Sequence, residues 1–326
     1  MSSGICSCET PTFGNLARPN CVISQKALAF PVMIPRFKAD GTRNSIDLAA
    51  DPLTFLNPAG VAGDYATLGA YIKAKIEDSS FASEDRFYPM PKVVGATFER
   101  TEQLFETAPS TIKYKIDGVG GVRTWKMQLW AKDAVFAIFR ELKKFGCSDL
   151  DVFYIDLAGA IWGIKDDANT SVIRGYEMST NTFDVFKDYA SDTTVEKLNI
   201  SFDLDNAECE ENSYAITSEE LGYKATTFRG LIAASVAVDN PDLSTVVATV
   251  SSAYGSAMTS VKVVGLLDAA FIVKDATGTI LPHTGTVENP NGTYTIAMTS
   301  ALTVTDTYTV SVLATTYDVV NGSFVA

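Results

Sequence analysis

The chain has 326 residues, 46% of them hydrophobic and 20% charged, with a formal net charge of −13 at pH 7. This is globular composition, long enough for about two domains with cores of their own. The acid excess argues against binding nucleic acid through phosphate contacts, which needs concentrated Lys and Arg; an acidic wall suits a conduit that DNA slides through without sticking.

The opening MSSGICSCETPTFGN lacks both the basic and the apolar regions of a secretory signal, and no apolar run reaches membrane-spanning length. Synthesis in the cytosol without export, and no membrane insertion, is the expectation. Five cysteines are an odd number, and Cys147 and Cys209 stand alone, which points to free thiols. Residues 1–25, rich in Ser, Thr, Cys, Asn and Pro, read as an extended N-terminal arm. KALAFPVMIPRF follows, and its Pro31 and Pro35 predict an edge strand or an extended segment crossing a neighbour. Over 40–91, turn chemistry surrounds one helical candidate, DYATLGAYIKAKIED, with Leu68, Tyr71, Ile72 and Ile76 at helical intervals.

Residues 93–116 predict a long hairpin turning at Ala108-Pro109-Ser110, because Ile112, Tyr114 and Ile116 alternate with polar residues in its second arm. Gly118-Val119-Gly120-Gly121 reads as a tight connection into the strand RTWKMQLW. A helix is expected over 132–145, where Val135, Ile138, Phe139, Leu142 and Phe145 share one face. Asp133 suits its start, Gly146 its end, and Lys143 and Lys144 its last turn. Burying each large apolar side chain contributes roughly 1.5–3 kcal/mol against tenths from end charges, so packing decides this helix. DVFYIDL and AIWGI then form a tight hairpin (151–164) through Ala158-Gly159, and SVIRGYEM, TFDVFKDY and TVEKLNISFDL supply further strands. Residues 26–230 are thus expected to be mainly β, an antiparallel sandwich or barrel covered by one packed α-helix.

From residue 231 onward only Lys262 and Lys274 oppose seven acids, and Thr, Ser, Val and Ala dominate. Seven or so strands, including TVVATVS, AAFIVKD, GTYTIAM and DTYTVSVLAT, fit an immunoglobulin-like β-sandwich over 231–326, without the paired Cys and buried Trp of antibody domains.

Residues that carry chemistry elsewhere do not assemble a site here. His283, the one histidine, lies in LPHTG, reads as an exposed loop residue, and has no nucleophile near it in sequence. Cys6, Cys8 and Cys21 lack the paired spacing and fourth ligand of a zinc site. The glycine run lacks the lysine and hydroxyl of a phosphate loop. Asp203, Asp205, Glu208, Glu210 and Glu211 crowd one loop, but without the glycine and spacing of a calcium loop they read as solvated acids or acids facing a channel. No catalytic, cofactor or metal residue is assigned, and the chain is not expected to be an enzyme.

The succession of long hairpin (93–116), strand (123–130), helix (132–145), tight hairpin (151–164) and closing strands ending in LNISFDL resembles the tail-tube family of tailed bacteriophages, over about residues 26–220. NGTYTIAM and TDTYTVSV are similar to the last strands of phage and bacterial immunoglobulin-like domains, which several tube proteins display on their outside. The resemblance implies a virion tail protein made in the host cytoplasm. It implies homo-oligomeric rings or a tube built through shared sheets, contact with other tail proteins, and DNA passing without specific binding. It further implies stacking through the hairpin, with Thr101, Glu102, Gln103, Leu104, Phe105, Glu106 and Arg123 as interface residues. The long 36–91 region and the Cys-bearing leader depart from small tube proteins and leave room for a specialised ring or adaptor. A surface-binding or adhesion module using 231–326 is the alternative from another class.

Overall fold

A computed structural model describes residues 25–63, 65–102, 105–107, 113–115, 121–130, 136–166, 171–205, 212–255, 260–314 and 316–326. The chain is mainly β and divides into two compact units, 1–76 with 81–229, and 230–326 with 77–80.

The first unit is built around Leu150–Asp156, a strand buried at every position. It pairs with Leu28–Pro35 on one side and Ile161–Lys165 on the other, inside a sheet that runs from Ile46–Asp47 through Val172–Arg174 at one end to Tyr88–Pro89 at the other. Successive side chains of a strand point to opposite faces. Val152 and Tyr154 enter one apolar cluster, Phe153 and Ile155 the other. Cover on both faces is what lets these strands read as continuous apolar runs.

On the first face lies a second, four-stranded sheet in the order Asp184–Asp188, Lys197–Leu204, Arg123–Trp130, Val94–Arg100. Its inward residues, among them Trp125, Met127, Leu198, Ile200 and Phe202, complete the core. The second face is covered by the helix Leu68–Glu77, whose Ile72 and Ile76 are buried, and by Leu221, Ala225 and Phe228 further along. Thr67 caps that helix, its Oγ1 accepting from the Ala70 amide at 3.1 Å.

Of the two expected architectures the sheets adopt the sandwich, each ending among the described residues in strands with one partner. Three expectations change. Both helical candidates form, as Leu68–Glu77 and Phe136–Lys144, and with the one-turn helix Ser218–Leu221 the described residues hold three α-helices where one packed helix was expected. The proline-bearing Leu28–Pro35 strand is an interior strand of its sheet. Pro31 and Pro35 sit where their absent donors face the short Tyr88–Pro89 side, to which Pro31 offers its carbonyl (Met90 N, 3.0 Å), so the ladder with 150–156 loses nothing. The hairpin is also longer than 93–116. Val94–Arg100 pairs with Arg123–Trp130, and Phe105–Thr107 pairs with Lys113–Lys115 farther out, while the 108–110 turn lies outside the described residues.

The helix expected over 132–145 is described from Phe136 to Lys144, and a 3-10 turn continues it through Cys147. Its apolar face enters the core through Ala137 and Leu142, with Ile138, Phe139 and Phe145 packed behind them. Phe136 points outward, 60% exposed, beneath Lys187 Nζ at 3.7 Å.

The second unit packs a six-stranded sheet against a four-stranded one around Val246, Val250, Phe271, Tyr294, Ile296 and Val310. Ten strands are described where the sequence predicts seven or so. The first is Ile232–Asp242, which runs through Pro241, and the last are the closing pair Tyr317–Val320 and Gly322–Val325. The closing pair joins both sheets. Tyr317–Val320 pairs parallel with the first strand, and Gly322–Val325 pairs with Thr307–Val312 in the other sheet. Gly322 permits this crossing, because a Cβ there would stand 2.6 Å from the Val236 carbonyl oxygen.

Leu142→Ala is expected to destabilise the first unit by about 2–5 kcal/mol, and Phe136→Ala by less than about 1 kcal/mol. Urea midpoints of the two variants check this; equal losses would mean that the helix is not held by its Leu142 face.

Candidate assembly interface

Between side chains such as Val32, Ile72, Phe87 and Phe228, the core of the first unit holds a cavity of about 10 Å³, apolar throughout and at the limit of a single water. Among the described residues no group of three or more His, Cys, Asp or Glu side chains is placed to hold a metal. Among the described residues no helix is long and apolar enough to cross a membrane.

The charged groups that are buried act within the fold. Asp151 has no exposed side-chain surface, and its two oxygens accept from Arg36 Nε (3.1 Å) and from Arg43 Nε and NH2 (3.2 and 3.0 Å). Both guanidinium groups also reach Glu177, at 3.0 and 2.8 Å, and Arg36 donates to the Met178 carbonyl at 2.7 Å. Burial pushes the Asp151 carboxyl up to about 6, against the pull of Arg43 and Arg36, so it remains ionised at neutral pH. Asp156, 1% exposed, accepts from the amides of Lys26, Ala158 and Ala160 and from the Trp162 indole at 2.9–3.3 Å, closing the 156–161 turn. Pattern reading passed over both carboxylates; the signal was a charged residue at each end of an apolar strand.

The outward face of the four-stranded sheet is polar and laced together. Gln128 donates to Asn199 (3.0 Å), Asn199 to Asp188 (2.8 Å), Thr124 to Asp203 (2.6 Å), and Lys126 to Glu99 (2.5 Å). Asp184, Asp188, Asp203 and Glu99 outnumber Lys126 and Lys197 on it. Trp130 and Phe186 stand out from it at 53% and 49% exposure.

Both edges of this sheet are open among the described residues: Val94–Arg100 pairs only with Arg123–Trp130, and Asp184–Asp188 only with Lys197–Leu204. Val94–Arg100 is exposed at six of its seven positions. Phe98 lies on the inward side of this edge strand, against Trp125 (4.8 Å) and Tyr154 (5.8 Å), yet is 51% exposed because no strand covers its outer flank.

The sequence-derived interface residues gather at the base of the hairpin arm. Thr101 and Glu102 are exposed, and Thr101 ties the two limbs together, its amide donating to the Val122 carbonyl and its Oγ1 accepting from the Val122 amide, both at 2.9 Å. Phe105 and Glu106 lie on the outer ladder opposite Lys115 and Tyr114. Arg123 is buried and donates to the Asp205 carbonyl at 2.5 Å. Asp203 is a residue of the Lys197–Leu204 strand, on its outward side, and Asp205 directly follows that strand, its amide donating to the Glu177 carbonyl at 2.8 Å. Gln103, Leu104, Glu208, Glu210 and Glu211 lie outside the described residues, as do Cys6, Cys8 and Cys21. His283 is not a loop residue. It begins the strand His283–Glu288, its side chain is 16% exposed, and its Nε2 stands 3.1 Å from Asp268 Oδ1, because the Asp268–Ala270 turn packs over that strand end.

Comparison with protein-family models, curated proteins and solved structures returns no match.

Removing Asp151 leaves two guanidinium groups facing each other, so Asp151→Ala is expected to cost about 3–5 kcal/mol. The pH dependence has a definite sign. With its carboxyl raised from 3.8 to about 6, the folded chain holds more protons than the unfolded one between those values, so this group's contribution to stability falls as pH rises from about 4 to about 6 and is level above. Urea midpoints across that range should show the slope in the wild type and lose it in Asp151→Asn; an unchanged slope would assign it to other groups.

Proposed function

We propose that the chain is a structural subunit of the tail-tube type from a tailed bacteriophage virion, assembling into rings or a tube that conducts DNA. The observation that carries the reading is the four-stranded sheet with two open edges among the described residues, one of them leaving an inward-pointing aromatic residue half uncovered. A second copy adding its strand to such an edge satisfies the free backbone groups and covers Phe98 together. The acid-rich outward face of that sheet supports a surface along which a polyanion moves without being held. The anchored hairpin arm supports contact between stacked rings, and neighbouring tail proteins are the further partners.

The second unit supports an immunoglobulin-like reading through its connectivity. With Ile232–Asp242 as A, Thr245–Gly255 as B, Phe271–Lys274 as C, Ile280–Leu281 as C′, His283–Glu288 as D, Tyr294–Met298 as E, Thr307–Val312 as F and Gly322–Val325 as G, and with Ser260–Lys262 and Tyr317–Val320 as additions, the strands run D-E-B-A in one sheet and C′-C-F-G in the other. Tyr308, near the start of strand F, accepts from the Thr303 amide five residues upstream at 2.8 Å, the bond of a tyrosine corner. A unit with its own core, appended to the assembling one, suits display on the outside of the tube.

Sedimentation and electron microscopy of the purified full chain test the proposal. Rings or tubes are expected, and a strict monomer across concentrations and salts would overturn it. Phe98→Lys, a charge pointed inward at the open edge, is expected to abolish assembly while leaving the circular dichroism of the subunit unchanged. Truncation after Arg229 is expected to leave assembly intact; its loss would give the second unit a role in the ring contact.

A further inference from the structure

The open edge strand Val94–Arg100 is interrupted near its start. Val94 stands opposite Gln128 and Thr97 opposite Lys126, so three steps on the edge are matched by two on its neighbour. Within that extra residue's span Gly95 takes φ +62. A left-handed glycine beside one surplus residue is the bulge that kinks an antiparallel ladder and turns its edge away. Packing does not demand glycine here. A Cβ at Gly95 would meet only Gln128 Oε1, at 3.7 Å, so the backbone conformation alone requires it. At the far end, Arg100 still pairs with Arg123, and the Thr101–Val122 bonds then close the base of the arm. The regular part of this edge is therefore Thr97–Arg100, bounded on both sides.

We propose that the Gly95 bulge is a register stop for strand addition: it confines pairing by a second copy to Thr97–Arg100 and keeps the exposed strand from pairing along its whole length with any passing edge. The inference rests on the edge-to-edge assembly proposed above. The second copy's strand is Asp184–Asp188, the other open edge of the same sheet. Its five residues are enough to span the four regular ones, and its Val185 lies on the inward side of the sheet, as Phe98 does. Without the surplus residue of the seven, a flat edge carrying Val94 and Phe98 half exposed is the kind of edge that aggregates.

Deleting Ala96 removes the surplus residue and returns the strand to one-for-one pairing. Sedimentation velocity and light scattering of the full chain should then show polydisperse aggregates, with an onset concentration about tenfold below that of the wild type. Gly95→Ala, which keeps the chain length and disfavours the left-handed backbone, should shift the onset in the same direction by less. It serves as the deciding variant if the deletion fails to fold by circular dichroism. A folded variant with the wild-type species distribution, or with uniform rings of wild-type size, overturns the proposal. If the wild type is monomeric throughout while the deletion aggregates, the ring reading falls and the bulge stands as an edge guard; if the wild type forms rings and the bulge variants do too, the reverse holds.

Discussion

A strand buried on both faces must also carry whatever charges its sequence gives it, and Leu150–Asp156 carries one at each end. Asp151, with no exposed side-chain surface, draws Arg36 and Arg43 onto it, and through them Glu177. That network fixes where the 36–43 segment leaves the central sheet and where Tyr176–Glu177 joins it. Isolated ions at this depth are too costly to keep, so the four groups stand or fall together. Asp156 does the same for the other end with four N–H donors, three from the backbone. The layers on either face are laid over a strand whose two ends are pinned electrostatically.

Much of the first unit could be read from periodicity. The Ile72 and Ile76 face, the Leu142 face and the Trp125-Met127-Leu129 alternation each have one partner surface, and pattern reports such faces well. What pattern reports poorly is who pairs with whom. Pro31 and Pro35 argued for an edge, yet a proline costs a ladder nothing when its position directs the missing donor away from the longer neighbour. The 93–116 segment looked like a complete hairpin because its second limb alternates beyond the turn at 108–110, whereas the limb that pairs with Val94–Arg100 lies beyond it at 123–130. Asp203 seemed part of a solvated acidic run because charge is visible in sequence and strand pairing is not.

The candidate interface was legible only as a neighbourhood. Thr101 and Arg123 do meet at the base of the arm, but Arg123 bonds inward to Asp205, and the exposed apolar residue at the edge is Phe98, hidden in sequence by the charged Glu99 and Arg100 beside it. Exposure of an inward-pointing aromatic is a property of a missing neighbouring strand, which no local pattern encodes.

The two open edges differ, and that difference bears on how copies meet. Pairing Asp184–Asp188 with its own two-fold mate in antiparallel register about Phe186 sets Asp184 against Asp188 twice, and like charges directly opposite disfavour the pair. Pairing Val94–Arg100 antiparallel with itself leaves a bulge at each end of the four regular residues, each turning the edge away. Joining one kind of edge to the other avoids both penalties and gives Phe98 the apolar neighbour it lacks. A contact between two different patches of the same subunit is heterologous, and heterologous contacts do not stop at a dimer: they close into a ring when the rotation between copies divides the circle and run on as a helix when it does not. On the proposed edge-to-edge assembly, the unequal edges of one four-stranded sheet favour a ring or a tube over a symmetric pair.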